Sequence, residues 1–104
     1  MRQVLDAVKV CRAAKVLIAG DFNPDRFQKA FKDERIFAML ESEWFKDCWE
    51  GASLSERGTH PGNTRYQDST LDYVFYKGFA QCFSHSLVPS IPLSDHRMLV
   101  VALE

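Results

Sequence analysis

The fold of this chain is decided by the stretch LDYVFYKG at residues 71–78. Aromatic and β-branched residues fill this stretch, which predicts a β-strand over 70–76. Leu71, Tyr73 and Phe75 then lie on one face of the strand, and Asp72, Val74 and Tyr76 lie on the other face. A carboxylate inside such a strand needs a partner, so Asp72 is either a structural or solvated acid or part of a functional site.

The segments before this strand predict helices around one buried strand. A helix is predicted over 1–14, and the continuous apolar run at 16–19 is typical of a strand covered on both faces. Pro24 fits a first helical position behind Asn23 as the N-cap. Residues 26–44 predict two short helices or one kinked helix, because their apolar spacing changes phase midway.

Strands dominate the later part of the chain. Predicted in order are a short strand near Trp49, a loop over 58–67, the strand over 70–76, a strand over 82–88, a loop over 89–94 and a closing strand over 98–103. The chain has 104 residues, which suits one small domain. Its class is therefore α+β, in the order α-β-α-β-β-β-β.

Composition indicates an ordinary globular domain. Hydrophobic residues make up 46% of the chain, charged residues 26%, and the net charge is −1, so the total gives no sign of the basic patch of a nucleic-acid binder. Cys11, Cys48 and Cys82 form no Cys-x-x-Cys pair, which predicts buried free thiols and a cytoplasmic location. The charges near the N-terminus predict no signal peptide, and no apolar run in the sequence approaches the ~20 residues that span a bilayer.

The strand at 16–19 leads into the first chemical motif, GDFN at residues 20–23. Asp21 and Asn23 are two residues apart, so a carboxylate and an amide project from one strand end. The carboxylate can accept a proton from water, and the amide can orient that water or donate to a phosphate oxygen. A plain strand-to-helix turn also favours Asp and Asn, so this motif alone does not decide.

A second motif, SDH at residues 94–96, precedes the closing strand. Asp95 is a hard oxygen ligand suited to Mg²⁺ or Mn²⁺. His96 can be positively charged near neutral pH if a carboxylate faces it. A turn with an ordinary histidine would explain this motif alone. However, the pair Asp21 and Asn23, the in-strand Asp72 and the SDH motif follow one another in this order, each at the edge of an apolar strand.

These three motifs resemble the C-terminal part of the endonuclease/exonuclease/phosphatase superfamily, which includes pancreatic deoxyribonuclease. The resemblance covers nearly the whole chain. It implies that residues 1–104 form a partial domain, the C-terminal half of a four-layer α/β/β/α sandwich with a mostly antiparallel sheet and helices on one face. It is nearly silent about the substrate, which ranges in the superfamily from nucleic acid to small phosphodiesters and phosphate monoesters.

The resemblance also implies roles for individual residues. Asp21 resembles the residue that aligns the attacking water and also contributes to the metal site, and Asn23 resembles its amide partner. Asp95 resembles a metal-site carboxylate for Mg²⁺ or Mn²⁺. His96 resembles the cation that stabilises the phosphoryl oxygens, and Asp72 resembles the carboxylate that orients it. The implied reaction is in-line attack of water on phosphorus.

Three further residues are weaker candidates for substrate binding. His60 lies in the loop where family members often carry a similar element near the substrate. Arg65 and Arg97 could contact phosphate. For each of the three, an ordinary solvated side chain is the simpler interpretation.

The chain departs from the family in lacking the N-terminal half, with its metal-binding Glu. We therefore expect a sheet face without its covering layer. Four possibilities follow: a fragment of a longer protein, a truncated gene product, self-association that covers the open sheet, or assembly with a separate N-terminal half. The expected function is a divalent-metal-dependent phosphoric ester hydrolase, a nuclease, phosphodiesterase or phosphatase, incomplete by itself. The alternatives are a catalytically inactive binding or assembly module and an unrelated α/β domain with coincidental motifs.

Overall fold

A computed structural model of the chain describes residues 1–22, 24–28, 34–63, 65–88 and 94–104. Within these residues the elements are α1 (Arg2–Cys11), β1 (Val16–Asp21), α2 (Arg35–Ser42), β2 (Lys46–Asp47), α3 (Leu54–Arg57), β3 (Asp72–Lys77), β4 (Cys82–Val88) and β5 (Met98–Leu103). The chain is thus a mixed α/β protein, and every described strand pair is antiparallel. Among the described residues, no helix has the length and hydropathy of a transmembrane segment.

The predicted strand around residue 73 forms the centre of a three-stranded sheet in the order β1-β3-β2. Its neighbour β1 runs antiparallel to it, with Val16 opposite Lys77 and Asp21 opposite Asp72. The strand ends before Gly78, whose φ is +86°. A Cβ there would lie 1.9 Å from the carbonyl oxygen of Ala14, so only glycine fits this turn.

An aromatic core covers one face of this sheet. Tyr73 and Phe75 of β3 are almost fully buried, and both rings pack against Phe22 and against Phe37 of α2 at centroid distances of 5.3–6.1 Å. Such aromatic pairs contribute about 0.5–1.5 kcal/mol each beyond their area burial. The predicted alternation along β3 is confirmed here.

The strands β4 and β5 form a separate two-stranded sheet, with the bounds that the sequence predicts. Leu87 and Leu99 lie opposite each other and pack against the core. Val88 and Met98 also pair but are partly exposed, at 38% and 49%. This alternation is typical of an antiparallel sheet with one face toward the core.

The predicted helix start at Pro24 is wrong, because residues 24–28 form a bend and a turn. The later part of the helical prediction over 26–44 is observed as Arg35–Ser42, whereas the predicted break falls on residues 29–33, outside the described residues. The Asp25 carboxylate accepts the Phe27 N–H at 2.9 Å and forms an Asx-type turn there, a local bond that competes with helix formation. Pro24 therefore lies in a bend.

The strand β1 is also less buried than its composition predicts. Leu17 is 52% exposed, so β1 is covered on one face only. On the neighbouring strand β3, the face that Leu17 shares is covered, because Val74 and Tyr76 are only 9% and 5% exposed. The expected uncovered sheet face is thus limited to its β1 edge.

Two smaller differences concern the middle and the cysteines. The strand predicted near Trp49 is confined to Lys46–Asp47. The short helix Leu54–Arg57 was not predicted, although Ser53 and Glu56 form a capping box, which is a sequence signal for the start of a helix. Cys48 is a buried free thiol, and burial raises its pKa to about 12. Cys82 is free but only partly buried; the side chain of Cys11 lies outside the described features.

The helix α2 gives a direct test of this packing. Leu40→Ala removes a side chain that is fully buried, and we expect a loss of about 2–5 kcal/mol in the free energy of unfolding. Val10→Ala on α1 is the matched control, since Val10 is 82% exposed and should change stability by less than about 0.5 kcal/mol. Urea unfolding followed by tryptophan fluorescence measures both, and equal effects would contradict the core described above.

Candidate active site

The three motifs converge on the imidazole of His96. Its Nδ1 lies 2.6 Å from Oδ2 of Asp72, a short distance typical of a charge-assisted hydrogen bond. An ionised carboxylate can only accept, so Nδ1 carries the hydrogen and donates it. Asp72 therefore fixes the tautomer and the ring orientation of His96, and the family resemblance implies a contact between these two residues.

The second ring nitrogen of His96 faces two more carboxylates. Its Nε2 lies 3.7 Å from Oδ2 of Asp21 and 3.9 Å from Oδ1 of Asp95. Both distances exceed a hydrogen bond but keep the charges in direct electrostatic contact. Acids from three separate motifs thus surround a single imidazole.

This environment favours the protonated form of His96. The hydrogen bond to Asp72 raises the pKa of His96 above its ordinary value, and the charges of Asp72, Asp21 and Asp95 raise it further, whereas partial burial opposes them. The positive charge of His96 is therefore stabilised relative to that of a free imidazole.

The register of the central sheet brings Asp21 to this place. Asp21 is the last residue of β1 and pairs directly with Asp72 of β3, so both side chains project from the same face. The loop that follows β1 is fixed by Asp25, which is only 2% exposed and accepts the Thr70 N–H at 2.8 Å. Asp25 was not singled out in the sequence; an acid after a bend in a loop gives no signal of burial.

A buried threonine connects the start of β3 to the start of β5. The Thr59 hydroxyl accepts the backbone N–H groups of Leu71 and Asp72 at 3.0 and 3.2 Å. The Thr59 backbone carbonyl accepts the backbone N–H of Arg97 at 2.6 Å. Because these bonds lie beside Asp72 and His96, Thr59 supports the contact between them.

His60 joins the same cluster. Its Nε2 lies 3.5 Å from Oδ2 of Asp95, and its ring meets the His96 ring edge-on at 5.1 Å. Its backbone is held by two hydrogen bonds to Ser69, both of 2.9 Å. The sequence singled out His60 only weakly, since a histidine in a polar loop has no pattern of its own.

The remaining candidates make contacts with residues other than His96 or lie outside the described residues. The Arg97 guanidinium donates to the Gly58 carbonyl and to Asp68, both at 2.6 Å, which is a structural contact. Arg65 lies over the ring of its neighbour Tyr66. Asn23 falls outside the described residues, so its predicted role stays a prediction.

The cluster offers two sets of groups that could hold a metal ion. One set is Asp21, Asp72 and His96, and the other is His60, Asp95 and His96; within each set the donor atoms lie within 4.8 Å of one another. A groove of about 270 Å³ opens beside Asp72, between Ala19 and Val74 of the sheet and Leu99 of β5, and Arg97 also lines it. Of the cluster, Asp72 therefore borders this groove.

A scan of protein-family models, a search of curated proteins and a search of solved structures each found no match for this chain. The support for the candidate site is therefore the geometry of its own residues.

The contact between Asp72 and His96 predicts a pH dependence. Asp72→Asn should lower the pKa of His96 toward its ordinary value of ~6.5. In the wild type, the stability from this contact is fully present below the unfolded-state pKa and is lost as pH rises through the raised folded-state pKa. The wild type should therefore exceed Asp72→Asn in unfolding free energy most clearly at pH values below the unfolded-state pKa of His96.

Titration of the histidine ring resonances by NMR measures the pKa, and urea unfolding at several pH values measures the stability. Asp6→Asn makes the same chemical change on the exposed side of α1 and should leave His96 as in the wild type. An unchanged His96 pKa in Asp72→Asn would contradict the contact.

Thr59 gives a second test of how the site is supported. Thr59→Val keeps the shape but leaves the Leu71 and Asp72 N–H groups without their acceptor, which should cost about 1–3 kcal/mol of unfolding free energy. Thr59→Ser keeps the hydroxyl and should cost less. Chemical denaturation compares the two variants, and a serine variant as unstable as the valine variant would assign the effect to packing instead.

Proposed function

We propose that this chain carries the catalytic residues of a divalent-metal-dependent phosphoric ester hydrolase, which acts by in-line attack of water on phosphorus. The observation that carries the proposal is the convergence of Asp21, Asp72 and Asp95 on His96. Three segments that are far apart in sequence supply one compact group of acids around one imidazole. A structural salt bridge would need only one of these acids.

His96 is the proposed electrostatic catalyst. Its Nε2 carries a proton that faces outward from Asp72, because Asp72 holds the opposite nitrogen. A phosphoryl oxygen placed at Nε2 would receive that hydrogen bond and the positive charge as negative charge develops in the transition state. Asp72 acts as a positioning residue, since it contacts His96 and orients it.

Asp21 is the proposed residue for the attacking water. Its side chain is 42% exposed and lies at the rim of the sheet, where water can reach it. A carboxylate at this place can accept a proton from water or align it by hydrogen bonding. Asn23 is the proposed amide partner, two residues further along.

The side chains fit a hard divalent cation. Mg²⁺ and Mn²⁺ prefer oxygen ligands, and Mg²⁺ commonly uses one or two carboxylates with water and substrate phosphate. Asp21 and Asp95 provide such carboxylates, and Asp95 is 82% exposed. When bound, the cation would neutralise charge on the phosphoryl oxygens.

The proposed architecture is the C-terminal half of a four-layer α/β/β/α sandwich. The exposed apolar side chains at the β1 edge and on the outer face of β5, such as Leu17, Met98 and Val100, are consistent with surfaces that a further layer would cover. A second copy of the chain or a separate N-terminal half is the proposed partner. The substrate is a phosphodiester or a small phosphate ester.

One observation favours an inactive binding or assembly module instead. Neither set of possible metal ligands in the described residues includes a glutamate. A divalent-metal site without that further charge binds its ion more weakly. The alternative therefore predicts a folded chain without turnover.

Hydrolysis of bis-(p-nitrophenyl) phosphate with Mg²⁺ or Mn²⁺ tests the proposal. Where a second copy of the chain completes the site, we expect metal-dependent turnover that falls by about 10²–10⁴-fold in His96→Asn and in Asp21→Asn, as expected for a lost proton-transfer or charge-stabilising group. A p-nitrophenyl phosphate assay and a plasmid-nicking assay distinguish phosphatase from nuclease.

Asp6→Asn serves as the matched acid-to-amide control and should keep wild-type turnover. Circular dichroism verifies that each variant is folded. Turnover that is unchanged in both site variants would exclude the proposed roles, and a folded wild type without any turnover would support the inactive module.

A further inference from the structure

We propose that His60, Asp95 and His96 form a binding site for a borderline transition-metal ion of the Zn²⁺ class. This site overlaps the cluster described above but differs in its ligands, because it uses two imidazole nitrogens. Its binding can be measured without any turnover, so it does not depend on the hydrolase proposal.

The spacing of the donor atoms supports this site. One donor atom from each of the three residues lies within 4.8 Å of the other two. The Asp95 carboxylate approaches Nε2 of His60 to 3.5 Å through Oδ2, and Nε2 of His96 to 3.9 Å through Oδ1. Ligands of a tetrahedral Zn²⁺ ion at the usual bond lengths lie roughly 3.3 Å from one another, so the Asp95 side chain, which is 82% exposed, would rotate to bring one oxygen toward both imidazoles.

The hydrogen bonding of His96 provides an independent indication. Metal-binding histidines usually donate their other ring N–H to a carboxylate, which fixes the tautomer and raises the basicity of the ligand. His96 makes this contact through Nδ1 to Asp72 at 2.6 Å. Its Nε2, on the side of Asp95 and His60, is thereby the nitrogen available to a metal.

The backbone holds the two histidines near each other before any ion binds. The Arg97 N–H donates to the Thr59 carbonyl, so the residues next to this bond, His60 and His96, lie on adjacent chain segments. His60 is fixed further by its two bonds to Ser69. Such preorganisation lowers the entropic cost of assembling the ligands.

The choice of ion follows from the ligand chemistry. Imidazole suits Zn²⁺, Cu²⁺, Ni²⁺ and Co²⁺, whereas Mg²⁺ is bound almost entirely by oxygen. The nearby Asp21 carboxylate, 3.7 Å from Nε2 of His96, adds negative charge that favours a cation. A bound ion would occupy the His96 nitrogen that the proposed hydrolysis uses, so Zn²⁺ would inhibit; this consequence alone depends on the proposed function.

Binding of Co²⁺ and Zn²⁺ to the metal-free protein tests the site. Co²⁺ absorption reports the coordination geometry, and calorimetry with Zn²⁺ alone reports affinity and stoichiometry. We expect one ion per chain, bound at least tenfold more weakly by His60→Gln and by Asp95→Asn. Asp72→Asn should weaken binding by about 10–100-fold through its effect on His96.

His85→Gln is the matched control, since His85 lies in β4 and contacts Trp49. It should bind Zn²⁺ as the wild type does. Asp95 is 82% exposed, so its substitution tests the site without disturbing the fold. Wild-type affinity in His60→Gln or in Asp95→Asn, or displacement of Zn²⁺ by an equal concentration of Mg²⁺, would overturn the proposal.

Discussion

The antiparallel register between β1 and β3 is the constraint on which the site depends. It places Asp21 directly opposite Asp72, although like charges in this position repel each other. A shift of one residue would turn each side chain of β1 to the opposite face. The aromatic side chains beneath hold the register, and the imidazole of His96 between the two acids offsets their repulsion.

One face of the central sheet packs into the aromatic core, and the other carries acids of the candidate site. Tyr73 and Phe75 pack into the aromatic core on one face, whereas Asp72 projects from the other. The buried Tyr73 hydroxyl also accepts the Arg26 N–H at 3.0 Å, which fixes the loop after β1. Packing on the first face therefore determines where the acids of the second face lie.

The cluster has an excess of negative charge, which determines its chemistry. Three acids surround His96, and a second imidazole, His60, lies against it at 5.1 Å. Such a group attracts cations, whether a proton on His96 or a metal ion. The proposed Mg²⁺ or Mn²⁺ site uses the oxygen ligands of this cluster, whereas the proposed Zn²⁺ site adds its imidazole nitrogens.

The sequence by itself determined the strands around residues 73, 85 and 100 and the facing of the side chains along β3. It also determined the three motifs with Asp21, Asp72, Asp95 and His96. These features depend on residue types that are neighbours along the chain. Only the tertiary structure decided that Thr59 joins the strand ends, that Asp25 is buried and that His60 belongs to the cluster. These contacts join segments that are distant in sequence. Their side chains carry no local pattern, so only the packed fold brings them together.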